Sequence, residues 1–125
     1  MKVFYNKDES NIVQGPLLEL QYCKEKLSTD EVIKHGYHHW GQDSYYMQDG
    51  FTGSFIKLYA DVLGNGTYAN MKEGPIDNWG VNYYGPEKID EIIDKANELK
   101  PLEYEFFVKW LEEAKNYNGF FILGV

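Results

Sequence analysis

At 125 residues and 17% aromatic content, the chain is long enough for one self-supporting hydrophobic core and too rich in rings to be disordered. Twenty acids face 12 bases, a net charge of −8, and every base is lysine. An acidic chain without arginine is a poor match for nucleic acid or an anionic membrane; it is suited to meeting something basic.

There is one cysteine, Cys23, which excludes an internal disulfide and a cysteine-based zinc cluster. The opening MKVFYNKDES lacks the apolar core of a signal peptide, and no apolar run approaches the length of a membrane span. The expected setting is the reducing cytoplasm.

In chain order, the residues up to Tyr5 suit a short first strand, and Asn6 to Ser10 is a polar turn cluster. Leu17 to Tyr22 has two readings. Leu18, Leu20 and Tyr22 share a face at period 2 with Glu19 and Gln21 opposite, a half-buried strand. Pro16 with Leu17, Leu20 and Leu27 is an equally legal helix. Both readings stay open, the strand preferred. Ser28 and Glu31 form the pattern of a capping box, Val32 and Ile33 supply an apolar side, and Gly36 ends that helix.

The following stretch alternates aromatic and polar residues, with a strand expected around Ser44 to Gln48 and an Asp49-Gly50 turn. From Ser54, the residues Phe55, Ile56, Leu58, Tyr59, Val62 and Leu63 recur at helical spacing, closed by Gly64. Thr67 to Met71 allows a short strand, Gly74-Pro75 and Asp77 to Gly80 are loop chemistry, and Val81 to Tyr84 is a short strand or a fixed loop.

The tail has the clearest signals. Pro86 opens a helix whose buried stripe is Ile89, Ile92, Ile93, Ala96 and Leu99, and Pro101 stops it. Phe106, Phe107, Trp110, Leu111 and Ala114 make the apolar face of a second helix, with Glu103, Glu105, Lys109, Glu112, Glu113 and Lys115 outside. Asn118-Gly119 ends that helix. The uncharged Phe120 to Val125 is expected to be a strand covered on both faces. No repeat or long linker divides the chain. The expected fold is a single α+β domain over residues 1–125, a mainly antiparallel or mixed sheet packed on about four helices.

Catalytic signatures are sparse. His35, His38 and His39 fall at i, i+3 and i+4, which would set imidazoles on one face if the helix ran through them, but Gly36 argues that it does not. None of the four serines sits in a nucleophile elbow; Ser28 and Ser54 read as caps and Cys23 as a small buried thiol. Neither a catalytic residue nor a metal or other cofactor is assigned. What stands out is the segment from Asp43 to Gly85, where aromatic residues are interleaved with acids. Asp43, Tyr45, Tyr46, Asp49, Glu73, Asp77 and Trp79 are the candidate partner-binding residues, because aromatic anchors in a field of one charge sign suit a steered protein interface.

Two tail stretches, GVNYYGPEKIDEII and EYEFFVKWLEEAKNYNGFFILGV, resemble the C-terminal part of small bacterial immunity proteins of polymorphic-toxin and contact-dependent growth-inhibition systems. The motifs are Asn82-Tyr83-Tyr84 just before a helix and the Asn118 to Gly124 ending. The resemblance covers the chain from Gly80 onward and does not reach the first half. It implies a cytoplasmic, non-enzymatic protein that neutralises a toxin domain by binding over its active surface. A basic toxin fits the charge, and nucleases are basic because their clefts hold a polyanion. The alternative from another class is a small metal-dependent hydrolase or small-ligand-binding module using HGYHH and the tyrosine-rich segments.

Overall fold

The computed structural model describes residues 2–11, 13, 15–48 and 55–124. Its frame is one antiparallel sheet of seven strands: β1 (Phe4–Tyr5), β2 (Leu17–Tyr22), β3 (Tyr45–Gln48), β4 (Gly66–Thr67), β5 (Glu73–Gly74), β6 (Val81–Tyr84) and β7 (Phe120–Leu123), in the order β1-β3-β2-β7-β6-β4-β5. Among the described residues five α-helices accompany it: α1 (Lys7–Ser10), α2 (Thr29–His35), α3 (Phe55–Tyr59), α4 (Ile89–Leu99) and α5 (Tyr104–Ala114). This is the expected α+β fold.

The strand reading of Leu17 to Tyr22 holds because β2 lies inside the sheet, between β3 and β7. Leu18 and Leu20 enter the main core while Glu19 and Gln21 are buried on the opposite face, so the strand is covered on both sides rather than half-solvated. The tail strand β7 fills the next place. Phe120 and Ile122 point to one face, Phe121 and Leu123 to the other, and all four are buried, as an uncharged run requires.

Two cores result. On the first face, Leu18, Leu20, Met47, Tyr84, Phe120 and Ile122 meet α3, α4 and α5 through Phe55, Tyr59, Ile92, Ala96, Phe107 and Leu111. On the second, a smaller cluster of Cys23, Tyr83, Phe121 and Leu123 meets Val32 and Ile33 of α2. The Cys23 thiol is raised in pKa by that burial, as a small core side chain rather than a reactive group.

Several local expectations change. Asn6 to Ser10 is not a turn but α1, one helical turn closed by a capping box in which Asn6 and Glu9 exchange side-chain–backbone bonds. At α2 the Ser28 side chain makes no capping bond, so the box expected there does not form. The helix from Phe55 stops at Tyr59; the Val62 and Leu63 amides both donate to the Tyr59 carbonyl and the chain continues in turns. Leu99 is exposed at the end of α4, where Lys100 adopts a left-handed φ of 47°. Glu103 is not outside: half-buried, it accepts the amides of Val3 and Phe4 at 2.9 and 3.0 Å and so closes the free side of the edge strand β1. The Asp49-Gly50 turn and the Ser54 cap fall outside the described residues. No described helix is long and apolar enough to cross a membrane.

The resemblance motifs work as ties. The Tyr83 hydroxyl donates to the Asn118 carbonyl at 2.7 Å and the Tyr84 hydroxyl to Leu63 at 2.9 Å. The Asn118 amide donates to the carbonyls of Glu25 and Leu27, holding the lead-in to α2. Gly119 sits at φ 82°, and a Cβ there would collide with the Tyr84 carbonyl.

Candidate functional site

The second face of the sheet is only partly roofed. Where α2 ends, the chain from Tyr37 to Ser44 crosses β2 and β3, and a buried polar network holds it there. Glu19 is 4% exposed, yet its carboxylate accepts four donors: the Trp40 amide at 2.8 Å on Oε1, and on Oε2 the Gly41 amide at 2.9 Å, the Ser44 hydroxyl at 2.6 Å and Gln21 Nε2 at 2.9 Å. Gln21 completes the frame by donating to the His38 carbonyl and accepting the His38 amide. Buried acceptors satisfied in this way are rigid, because any displacement strands several donors together. Gly41 is required by close approach, since a Cβ would meet Ser44 Oγ at 2.6 Å and Gln21 Nε2 at 2.8 Å.

The loop presents Trp40. Its φ is 64°, left-handed backbone that a bulky residue adopts at a strain of about 1–3 kcal/mol. Glu19 holds its amide, Lys7 Nζ donates to its carbonyl at 3.0 Å, and its ring stacks on Tyr46 at 5.3 Å, leaving the residue 58% exposed. Below it, a cleft of about 330 Å³ runs between Pro16, Leu17, Glu19, Tyr46, Leu123 and Gly124.

A second loop is pinned at the same end of the sheet. Asn82 is fully buried; its amide donates to the carbonyls of Asp77 and Ile122, both at 3.0 Å, and its Oδ1 accepts the Asp77 amide at 2.9 Å. Asp77 Oδ1 in turn accepts the Trp79 amide at 2.9 Å. The Gly124 amide, leaving β7, donates to the Gly80 carbonyl. This turn holds Trp79 out at 74% exposure.

The candidate residues do not form one patch. Asp43 lies on the Trp40 loop and pairs with Lys24 at 2.6 Å. Tyr45 and Tyr46, neighbours on β3, point to opposite faces: Tyr45 packs edge-on against Phe106 of α5, and Tyr46 is buried under Trp40. Burial and the charge of Glu19 push the Tyr46 phenol up to about 12. Glu73 sits on the far edge strand β5, paired with Lys88 at 3.1 Å. Asp77 and Trp79 stay together. Asp49 lies outside the described residues. Sequence reasoning missed Glu19, Gln21, Ser44, Trp40 and Asn82; the only available signal was a polar pair alternating with core leucines in β2.

Among the described residues, no three His, Cys, Asp or Glu side chains converge as a metal ion would need. The imidazoles of His38 and His39 are exposed on the loop, after a helix that ends at His35. Half of the net charge lies on the tail helices, where nine acids face five lysines from Pro86 to Lys115. No family model matches the chain, and neither a curated protein nor a solved structure matches it significantly.

Proposed function

We propose that the protein is a non-enzymatic binder that neutralises a basic protein partner, a cognate bacterial toxin domain, by covering its active surface in the cytoplasm. The observation that carries the reading is two tryptophans, Trp40 and Trp79, held out in solvent at one end of the sheet by buried polar pins. An exposed tryptophan on a strained, over-determined backbone is poor economy for folding and good design for a hot spot, whose entropy of ordering is spent before the partner arrives. The net charge of −8 supplies the steering. The toxin identity of the partner rests on the resemblance of the tail alone.

The test is co-expression with a secreted toxin domain encoded beside the gene. Protection of growth by the parent and its loss in the Trp40→Ala, Trp79→Ala double variant is the expected result. Association should slow steeply as salt rises from low to physiological strength. A complex whose association rate ignores salt, or a double variant that protects fully, would sink the reading.

The cleft below Trp40 favours one second reading, a module that binds a small ligand against the indole. A melting shift with a neutral small molecule and none with any basic protein would favour it.

A further inference from the structure

We infer that the cleft below Trp40 is a receptor for a cationic side chain, an arginine guanidinium above all, carried by the basic partner. The inference rests on the binder reading above and adds which chemistry enters the interface, and where.

Three observations converge on the cleft. Its wall contains Glu19, whose carboxylate has four hydrogen-bond partners, all of them neutral donors, the pattern of an acceptor-only group. No cation balances it: among the described residues Glu19 takes part in no ion pair, and the nearby Lys7 ammonium is turned to the Trp40 carbonyl instead. A buried charge satisfied only by dipoles leaves a negative potential in the adjoining space. Next, Trp40 and Tyr46 line the same cleft as stacked rings, and aromatic faces attract cations. Finally, at roughly 30 Å³ per water, a volume of about 330 Å³ admits the end of a side chain rather than one trapped solvent molecule. The other titratable groups lining the cleft are His39, which is exposed, and the buried Tyr46, whose phenol is raised to about 12.

Guanidinium fits better than ammonium. It is planar, weakly hydrated and stacks on an indole, whereas a lysine head is a strongly hydrated point charge. This protein has no arginine of its own, so the group must come from outside.

The chain contains three tryptophans, so three indole N–H signals in a ¹⁵N-labelled sample report Trp40, Trp79 and Trp110 separately. The probes are blocked hexa-arginine, hexalysine and hexaglutamate peptides and N-acetyl-arginine amide, at low and at high salt. Hexa-arginine is expected to move the Trp40 signal and to bind more tightly than hexalysine, with no response to hexaglutamate. Trp40→Ala should weaken hexa-arginine by about tenfold, the size of a partly desolvated cation–π contact. Glu19→Gln should weaken it to a similar degree, while Glu98→Gln on α4, the same change in net charge elsewhere, should alter it less than twofold. Trp40→Ala, at the surface, keeps the test decisive if Glu19→Gln fails to fold. Hexa-arginine that binds and moves the α4 and α5 amides while Trp40 stays still would overturn the cleft and leave the acidic-binder reading standing. No binding at low salt would overturn both. Arginine amide binding as tightly as the peptide would make this a site for a free small cation and overturn a protein-borne one.

Discussion

Asn82→Ala separates the pinning role of this side chain from mere occupancy of the core. The substitution removes one hydrogen-bond partner from each of three groups: the Asp77 amide, the Asp77 carbonyl and the Ile122 carbonyl. Asp77 is exposed, so its two groups can turn to water, whereas Ile122 is fully buried between β2 and β6. Losing the buried side-chain bond to Ile122 costs about 0.5–1.5 kcal/mol, and the space left by the amide adds to it, for a loss of about 2–3 kcal/mol. For a chain of this length each kcal/mol moves Tm by about 3–5 °C, so the expected drop is about 6–15 °C. Asn82→Asp should be worse than alanine, because it sets a carboxylate where the amide met two carbonyl oxygens. Thermal melts followed by circular dichroism, with urea unfolding to confirm an unchanged m-value, measure both variants. Trp79 emission should change in the same variants, since its turn is released. An alanine variant melting within about 2 °C of the parent, or an aspartate variant as stable as the parent, would refute the pinning argument.

Three further outcomes follow from burial. The phenols of Tyr22, Tyr46, Tyr59, Tyr83 and Tyr84 are all raised above the ordinary tyrosine value, chiefly by burial. A raised folded pKa means that the native state holds its protons longer, so stability is intact below pH 10 and falls as pH climbs from there through about 12 for Tyr46. The share of tyrosinate absorbance near 295 nm that belongs to these five phenols should therefore appear in one cooperative step with unfolding; its appearance in a still-folded chain would contradict this. Gly119→Ala should destabilise by about 1–3 kcal/mol in denaturant titrations, because it combines a left-handed φ of 82° with a collision at Tyr84; an unchanged midpoint would refute it. Cys23, fully buried, should resist a thiol reagent in native buffer and react at the rate of unfolding, which mass spectrometry can follow; immediate labelling would contradict its placement.

Much of the fold could be read from periodicity. The stripe of α4, the aromatic face of α5 and the uncharged run of β7 each had one arrangement that buried their apolar atoms, and they took most of it: Leu99 is exposed, Phe106 is half-buried and β7 ends at Leu123. Failures came where two neighbours of opposite character were both buried. Glu19 and Gln21 alternate with Leu18 and Leu20 as though facing water, yet they are buried, because the Trp40 loop folds over them and brings three donors to the Glu19 carboxylate, with Gln21 itself the fourth. Tyr45 and Tyr46 look alike in sequence, but the pleat sends one to α5 and the other under Trp40. Glu73 and Asp43 shared a segment and landed on opposite sides of the sheet, since strand order is not chain order.

By itself the sequence determined an acidic, arginine-free α+β domain and the places where its strongest helices and last strand must lie. Local propensity and apolar spacing act over a few residues, so they are written in the chain. Only the tertiary structure decided which polar side chains go inside and which tryptophans stay out. A buried carboxylate is stable only when donors far along the chain converge on it, and that convergence exists only once β2, β7 and the loop after α2 have come together.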